Sequence, residues 1–219
     1  MSLSILCDPA AVEVWDHDGK LYEVNSYDSL PDVAWQYELI GLTGAPGTGP
    51  YLAIVIPDVT PDEGPFIPRH VGHALVRIGG GVTPWPILLQ LIELAECRDI
   101  VDTDQAHVTA DDEILSNNVW LYDGKRFEVN SFHYSDGDAW CYELYEVTPD
   151  TARNDYVEVQ IPDANPKGGP FIPVPADGVT FTVHGEWSIP WLVFRRFIEV
   201  IAASGDIVQG RTAGQADTS

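Results

Sequence analysis

Basic residues are scarce in this chain of 219: eleven lysines and arginines stand against 34 aspartates and glutamates, a formal net charge of -23. The three lysines are Lys20, Lys125 and Lys167. A surface this negative repels phosphate backbones and anionic headgroups, so neither nucleic acid nor a membrane is an expected partner. It attracts basic proteins. Salt adaptation or plain solubility is the competing explanation of the same excess. No apolar run reaches the roughly eighteen residues that a membrane-spanning helix needs. The start, Met1 to Pro9, has neither a basic stretch nor a long apolar one and does not read as a signal peptide. Cys7, Cys97 and Cys141 form no CxxC pair; their odd number and scatter argue against a disulfide framework and fit a reducing, cytoplasmic setting.

Catalytic and cofactor signatures are also lacking. There is no GxxxxGK[ST], no GxGxxG between strand and helix, no GxSxG and no HExxH. No cofactor, metal or catalytic residue is therefore assigned, and the expectation leans away from an enzyme. His70-Val71-Gly72-His73 has ligand-like spacing, but it lies in a loop with glycine and proline and no cysteine nearby, so exposed loop histidines are expected. Gly79-Gly80-Gly81 precedes an expected helix start and could hold an anion on its amides. The second half of the chain has His184-Gly185-Glu186 there, a carboxylate where an anion would sit, so a plain turn is expected. A catalytic thiol needs an electropositive pocket, which makes Cys141 a structural cysteine.

What the chain does have is an internal repeat. Val14-Trp15 through Asn25-Ser26-Tyr27 answers to Val119-Trp120 through Asn130-Ser131-Phe132 at an offset of 105. The offset persists at Ala34-Trp35 and Ala139-Trp140, at Tyr37-Glu38-Leu39 and Tyr142-Glu143-Leu144, and at Ile56-Pro57-Asp58 and Ile161-Pro162-Asp163. Gly64-Pro65-Phe66-Ile67-Pro68 recurs as Gly169-Pro170-Phe171-Ile172-Pro173. After a one-residue slip, Pro84-Trp85 matches Pro190-Trp191. Chance does not hold one offset over so many tryptophans, prolines and glycines.

Within each copy, Asp18-Gly19 and Asp123-Gly124 are hairpin turns. Strands are expected near Val12 to Asp16, Leu21 to Tyr27, Trp35 to Leu39, Tyr51 to Ile56 and Ala74 to Ile78, with counterparts in the second copy. Each copy should end in a helix, starting at Thr83-Pro84 and at Ser188-Ile189-Pro190 with a hydroxyl cap and proline in the first turn, and running to about Val101 and Ala203. Gly205 is the expected stop of the second. The fold class is α+β: a tandem duplication of a unit of about five antiparallel strands followed by one helix. The two copies should pack as one body with pseudo-two-fold symmetry. Residues 10–102 form the first repeat, 103–118 an acidic linker, 119–208 the second repeat and 209–219 a polar tail expected to be disordered.

The candidate binding residues are Glu23 and Glu128, which follow the hairpins, Glu38 and Glu143, which fall on the polar phase of the third strand of each copy, and Trp187. Paired carboxylates can do acid–base work where their surroundings split their pKa values, but Lys20 and Lys125 could also simply neutralise them across the strands. Six tryptophans form three repeat pairs and read as core (Trp15, Trp35, Trp85, Trp120, Trp140, Trp191). Trp187 stands where the first copy has Val82, and is a candidate exposed anchor.

Strands followed by a helix, twice over, is similar to the PUR-repeat architecture, in which paired units bind single-stranded nucleic acid. The resemblance is one of element order, and the charge opposes its binding activity, since such a groove needs lysine and arginine among its aromatics. The leading expectation is a non-enzymatic acidic protein that engages a basic protein partner, as immunity proteins and nucleic-acid mimics do, by electrostatic steering and a few buried anchors. The alternative is an enzyme or small-ligand binder with a carboxylate-lined site between the repeats. The third is an acidic cytosolic scaffold with PUR-like element order. Oligomeric state is open at this level.

Overall fold

A computed structural model describes residues 12–29, 32–44, 49–59, 66–96, 114–116, 118–135, 137–148, 155–165 and 170–208. Most of the acidic connection, the tail 209–219, Cys7, Cys97 and the expected helix end near Val101 lie outside these.

Both expected hairpins form. β1 (Val12–His17) turns into β2 (Lys20–Ser29) through Asp18 and Gly19, with φ of 51° and 74°. β8 (Val119–Tyr122) turns into β9 (Lys125–Tyr134) through Asp123 and Gly124, with φ of 48° and 72°. Two successive left-handed residues match the twist of the strands they join, which is why Asp-Gly recurs there.

The meander continues through β3 (Ala34–Gly41), β4 (Tyr51–Pro57) and β5 (Leu75–Gly79), and in the second copy through β10 (Ala139–Glu146), β11 (Tyr156–Pro162) and β12 (Thr180–His184). The Pro-Phe-Ile-Pro loops also repeat in detail. Asp58 bridges Pro68 as Asp163 bridges Pro173, and Phe66 lies 5.8 Å from the Trp35 ring as Phe171 lies 6.1 Å from Trp140.

Each copy then adds a sixth strand that the sequence reading takes for a helix start: β6 (Val82–Pro84) before α1 (Trp85–Glu96), and β13 (Glu186–Pro190) before α2 (Trp191–Ser204). These strands are exchanged. β13 of the second copy pairs with β5 of the first, Trp187 opposite Ile78 and Ile189 opposite Val76, while β6 pairs with β12, Thr83 opposite Phe181. The result is two antiparallel sheets, ordered β1-β2-β3-β4-β5-β13 and β6-β12-β11-β10-β9-β8-β7, where β7 (Ile114–Ser116) is a short strand within the connection.

The helices cross over with their strands. α2 lies against β5 and the 3-10 turn Val71–His73 of the first copy, and α1 against β12 and the 3-10 turn Ala176–Gly178 of the second. The first amide of each helix donates to the opposite copy, Trp85 N–H to Val179 O and Trp191 N–H to Ala74 O, both at 2.9 Å. These backbone bonds replace the expected side-chain caps. Pro190 holds the cap position of α2 without a side-chain bond, and the Thr83 hydroxyl is buried without a partner. Gly205, at φ 82°, ends α2 as expected.

One core lies between the sheets. It joins Tyr37, Leu39, Leu52, Ile54, Val76 and Ile78 of the first sheet to Phe127, Leu144, Val157, Val159 and Phe181 of the second through both helices. The i, i+3, i+4 apolar stripes of α1 and α2 fill it, including Trp85, Leu88 and Leu91 on one and Trp191, Phe194, Phe197 and Ile201 on the other. Arg195 of α2 binds Glu96 of α1, tying the helices across the pseudo-axis. Among the described residues no helix is long and apolar enough to cross a membrane.

Candidate functional site

Side chains alternate along a strand, so each sheet that fills the core with one set presents the other on its outer face. On the first sheet the outer set runs Asn25, Glu38, Ala53, Arg77 across β2 to β5. On the second the same ladder runs Asn130, Glu143, Glu158, Thr182 across β9 to β12. Glu38 and Glu143 are thus equivalent and half-buried, but they sit on outer faces of different sheets. A carboxylate cleft shared between the repeats would need them to converge, and the fold turns them away from the common core.

Glu23 and Glu128 occupy the adjoining rung. Glu23 accepts from Asn25 Nδ2 at 2.9 Å. Glu128 accepts from the Tyr145 hydroxyl at 2.6 Å and pairs with Arg126. The expected neutralisation by lysine takes another form, since Lys125 Nζ meets Glu146 at 3.1 Å. Trp187 is half-buried rather than an exposed anchor, because β13 places it beside Ile78 and its ring stacks with Phe127 at 6.5 Å. By register its counterpart is Gly81, which follows β5, and not Val82: Val82 lies opposite Thr182 as Ser188 lies opposite Arg77.

The two outer faces share positions and differ in chemistry. On the first, the Arg77 guanidinium lies among polar groups, and both terminal nitrogens bond the Asp32 carboxylate at 2.9 Å. Asp32 also receives Ser29 Oγ and Gln36 Nε2, and the Arg77 hydrogen bonds hold its carboxyl down at about 2. Beside them, burial and then Glu38 push the Tyr51 hydroxyl up to about 12, and Tyr27 shifts upward for the same reasons. Ala53 beneath is fully buried.

On the second face Glu158 replaces Ala53, Thr182 replaces Arg77, Gly137 replaces Asp32 and Cys141 replaces Gln36. Glu143 and Glu158 are register partners, two carboxylates directly opposite one another on neighbouring strands. That juxtaposition is ordinarily destabilising. Glu158 is buried and lies 3.3 Å from His184 Nε2, and the His184 ring stacks on Tyr156 with centroids 4.1 Å apart. Cys141 is buried, and burial followed by its hydrogen bond to Glu158 pushes the thiol up to about 12, which removes it as a nucleophile at neutral pH. Phe132 and Tyr134 flank this patch, exposed at 36% and 43%.

The loop histidines His70 and His73 are exposed as expected, and His70 Nδ1 accepts from the Gly72 amide at 3.1 Å. Among the described residues no three His, Cys, Asp or Glu converge in a metal-holding group. Arg77, Asp32, Glu158, His184 and Tyr156 are not among the candidate site residues that the sequence offers. The signal that finds them is the set of positions where the two copies differ in charge. Comparison with protein-family models, curated proteins and solved structures finds no match.

Proposed function

We propose that the chain is a non-enzymatic, cytoplasmic binding protein that engages a basic protein through the outer face of its second sheet. The partner seats an arginine over Glu143 and Glu158. The carrying observation is the asymmetry between the copies. The first face holds its own guanidinium at Arg77. The second has no lysine or arginine in β10, β11 or β12, and has an extra carboxylate, Glu158, in the ladder. Two opposed carboxylates gain most when a cation lies between them, and a planar guanidinium satisfies both at once. Phe132 and Tyr134 supply apolar contact at the rim, and the net charge of -23 steers a basic partner toward the surface. The expected metal-free, cofactor-free binding mode and a reducing compartment belong to the same reading.

The test is fluorescence anisotropy with a labelled short oligo-arginine peptide across a salt series, using wild type, Thr182→Arg and Val12→Arg. Thr182→Arg supplies the second face with the internal cation that the first face has. Val12→Arg adds the same charge at a remote exposed position. Affinity should fall roughly 10-fold or more in Thr182→Arg, the worth of a charge-assisted bond, stay near wild type in Val12→Arg, and weaken with salt. Equal loss in both variants, or binding indifferent to salt, refutes the reading.

A further inference from the structure

A groove of about 480 Å³ opens at the end of the first sheet, lined by Tyr51, Arg77, Gly79, Glu186, Trp187 and Ser188 among others. Its volume falls within the range of small-molecule sites. The second sheet shows what fits there. At the position equivalent to Gly79 it carries His184, whose ring lies on Tyr156, the equivalent of Tyr51, with an interplanar angle of 12°. In the first copy the histidine is missing and the tyrosine remains. A Cβ built on Gly79 would lie 3.2 Å from Tyr51 Cδ1, so anything placed along this bare backbone meets the tyrosine ring.

We propose that this groove binds a flat, N–H-bearing heteroaromatic ring of the imidazole class, stacked on Tyr51 where His184 stacks on Tyr156. The half-buried Tyr51 supplies the platform. The Glu186 carboxylate and the Ser188 hydroxyl lie exposed on the rim and accept N–H donors. Arg77 does not compete, since Asp32 takes both of its terminal nitrogens. Anionic rings are disfavoured by Glu186 and by the charge of the whole chain. The site lies on the first sheet and does not depend on the arginine-seating face of the second.

The test is a two-dimensional ¹⁵N NMR titration of the full chain with imidazole and with N-acetylhistidine methylamide, which compares a free ring with a peptide-borne one. Pyrrolidine, a saturated ring of the same size, and benzoate serve as controls. Imidazole should shift the Gly79 amide and the Trp187 indole N–H along a saturating curve with Kd on the order of 1 mM, and the controls should not. Gly79→His should fill the groove from within and abolish saturable shifts. Tyr51→Leu should weaken binding about tenfold, the worth of one aromatic stack. Absence of saturable shifts at Gly79 and Trp187, shifts confined to Tyr156 and His184, or an unchanged Kd in Gly79→His or in Tyr51→Leu would each overturn the proposal. Either variant suffices if the other fails to fold. Failure here leaves the oligo-arginine result untouched, and the reverse holds.

Discussion

Cutting the chain between its halves should leave them together. A protease site inserted between Ala106 and His107 severs the covalent link while β6 and α1 remain in or on the second sheet and β13 and α2 in or on the first. α2 alone buries Trp191, Val193, Phe194, Phe197, Ile198 and Ile201. At ~1.5–3 kcal/mol for each large apolar side chain, that is on the order of 9–18 kcal/mol of gross burial, with α1 and two interstrand ladders adding to it. What the cut removes is effective concentration. A short connection holds its ends at the millimolar level, so at micromolar protein the loss is a factor of about 1000, or ~4 kcal/mol. The cleaved protein should therefore elute as one species on size exclusion. Its urea midpoint should be lower than that of the intact chain and should rise with protein concentration, as a bimolecular equilibrium requires. Halves that separate under native conditions and unfold in their own concentration-independent transitions would refute the strand exchange.

Two further predictions concern single groups. In a Cys7→Ser, Cys97→Ser background, Cys141 should react with iodoacetamide at pH 8 about 1000-fold more slowly in the folded protein than in urea, because a thiol pushed from 9.0 up to about 12 forms that much less thiolate; comparable rates in both states would contradict its burial beside Glu158. The Asp32 carboxyl is held at about 2 against an ordinary 3.8, so its pairing with Arg77 stabilises the fold fully above pH ~4 and loses that effect as pH falls through about 2. Solvent screening of this exposed pair limits it to ~1 kcal/mol or less. The difference in urea midpoint between wild type and Arg77→Met should shrink as the pH is lowered from 5 toward 2; a difference independent of pH would exclude the linkage.

The parts of the fold written in short-range chemistry were legible: the Asp-Gly hairpins, the period-two alternation of Trp35, Tyr37 and Leu39, and the glycine that ends α2. Thr83-Pro84 and Ser188-Ile189-Pro190 misled because proline in a first helical turn and proline closing an edge strand look alike along the chain. β6 and β13 are edge strands, where a missing N–H costs little. Their exchange left no local mark, since the same residues could pair with β5 of the first copy or with its equivalent β12 of the second. Gly81 helps fix the crossing. At φ 85° it passes so close to Pro50 that an added Cβ would lie 2.6 Å from Pro50 Cα. For the candidate site, the polar phase of Glu38 and Glu143 could be read directly. Their neighbours Arg77 and Glu158 required the register of β4 with β5 and of β10 with β11, which is set by non-local pairing.

The repeated residues explain the scaffold, and the differences between the copies carry the functional argument. A duplicated fold constrains both halves to the same backbone, so hairpin turns, core tryptophans and Pro-Phe-Ile-Pro loops are held in common by packing. The outer faces are free of that constraint, and they diverge in a complementary way. The first copy seats its own guanidinium at Arg77 and leaves the space beside Tyr51 to Gly79; the second fills that space with His184 and replaces the guanidinium with Thr182 while adding Glu158. Drift toward solubility would put carboxylates where water reaches them. It gives no reason to set a second carboxylate, Glu158, opposite Glu143 on a buried rung beside His184, where a bound cation can bridge the two. If Glu158→Ala, which restores the residue of the first copy, raises stability while weakening oligo-arginine binding, the cost of that carboxylate is tied to recognition; if it changes neither, the asymmetry is neutral.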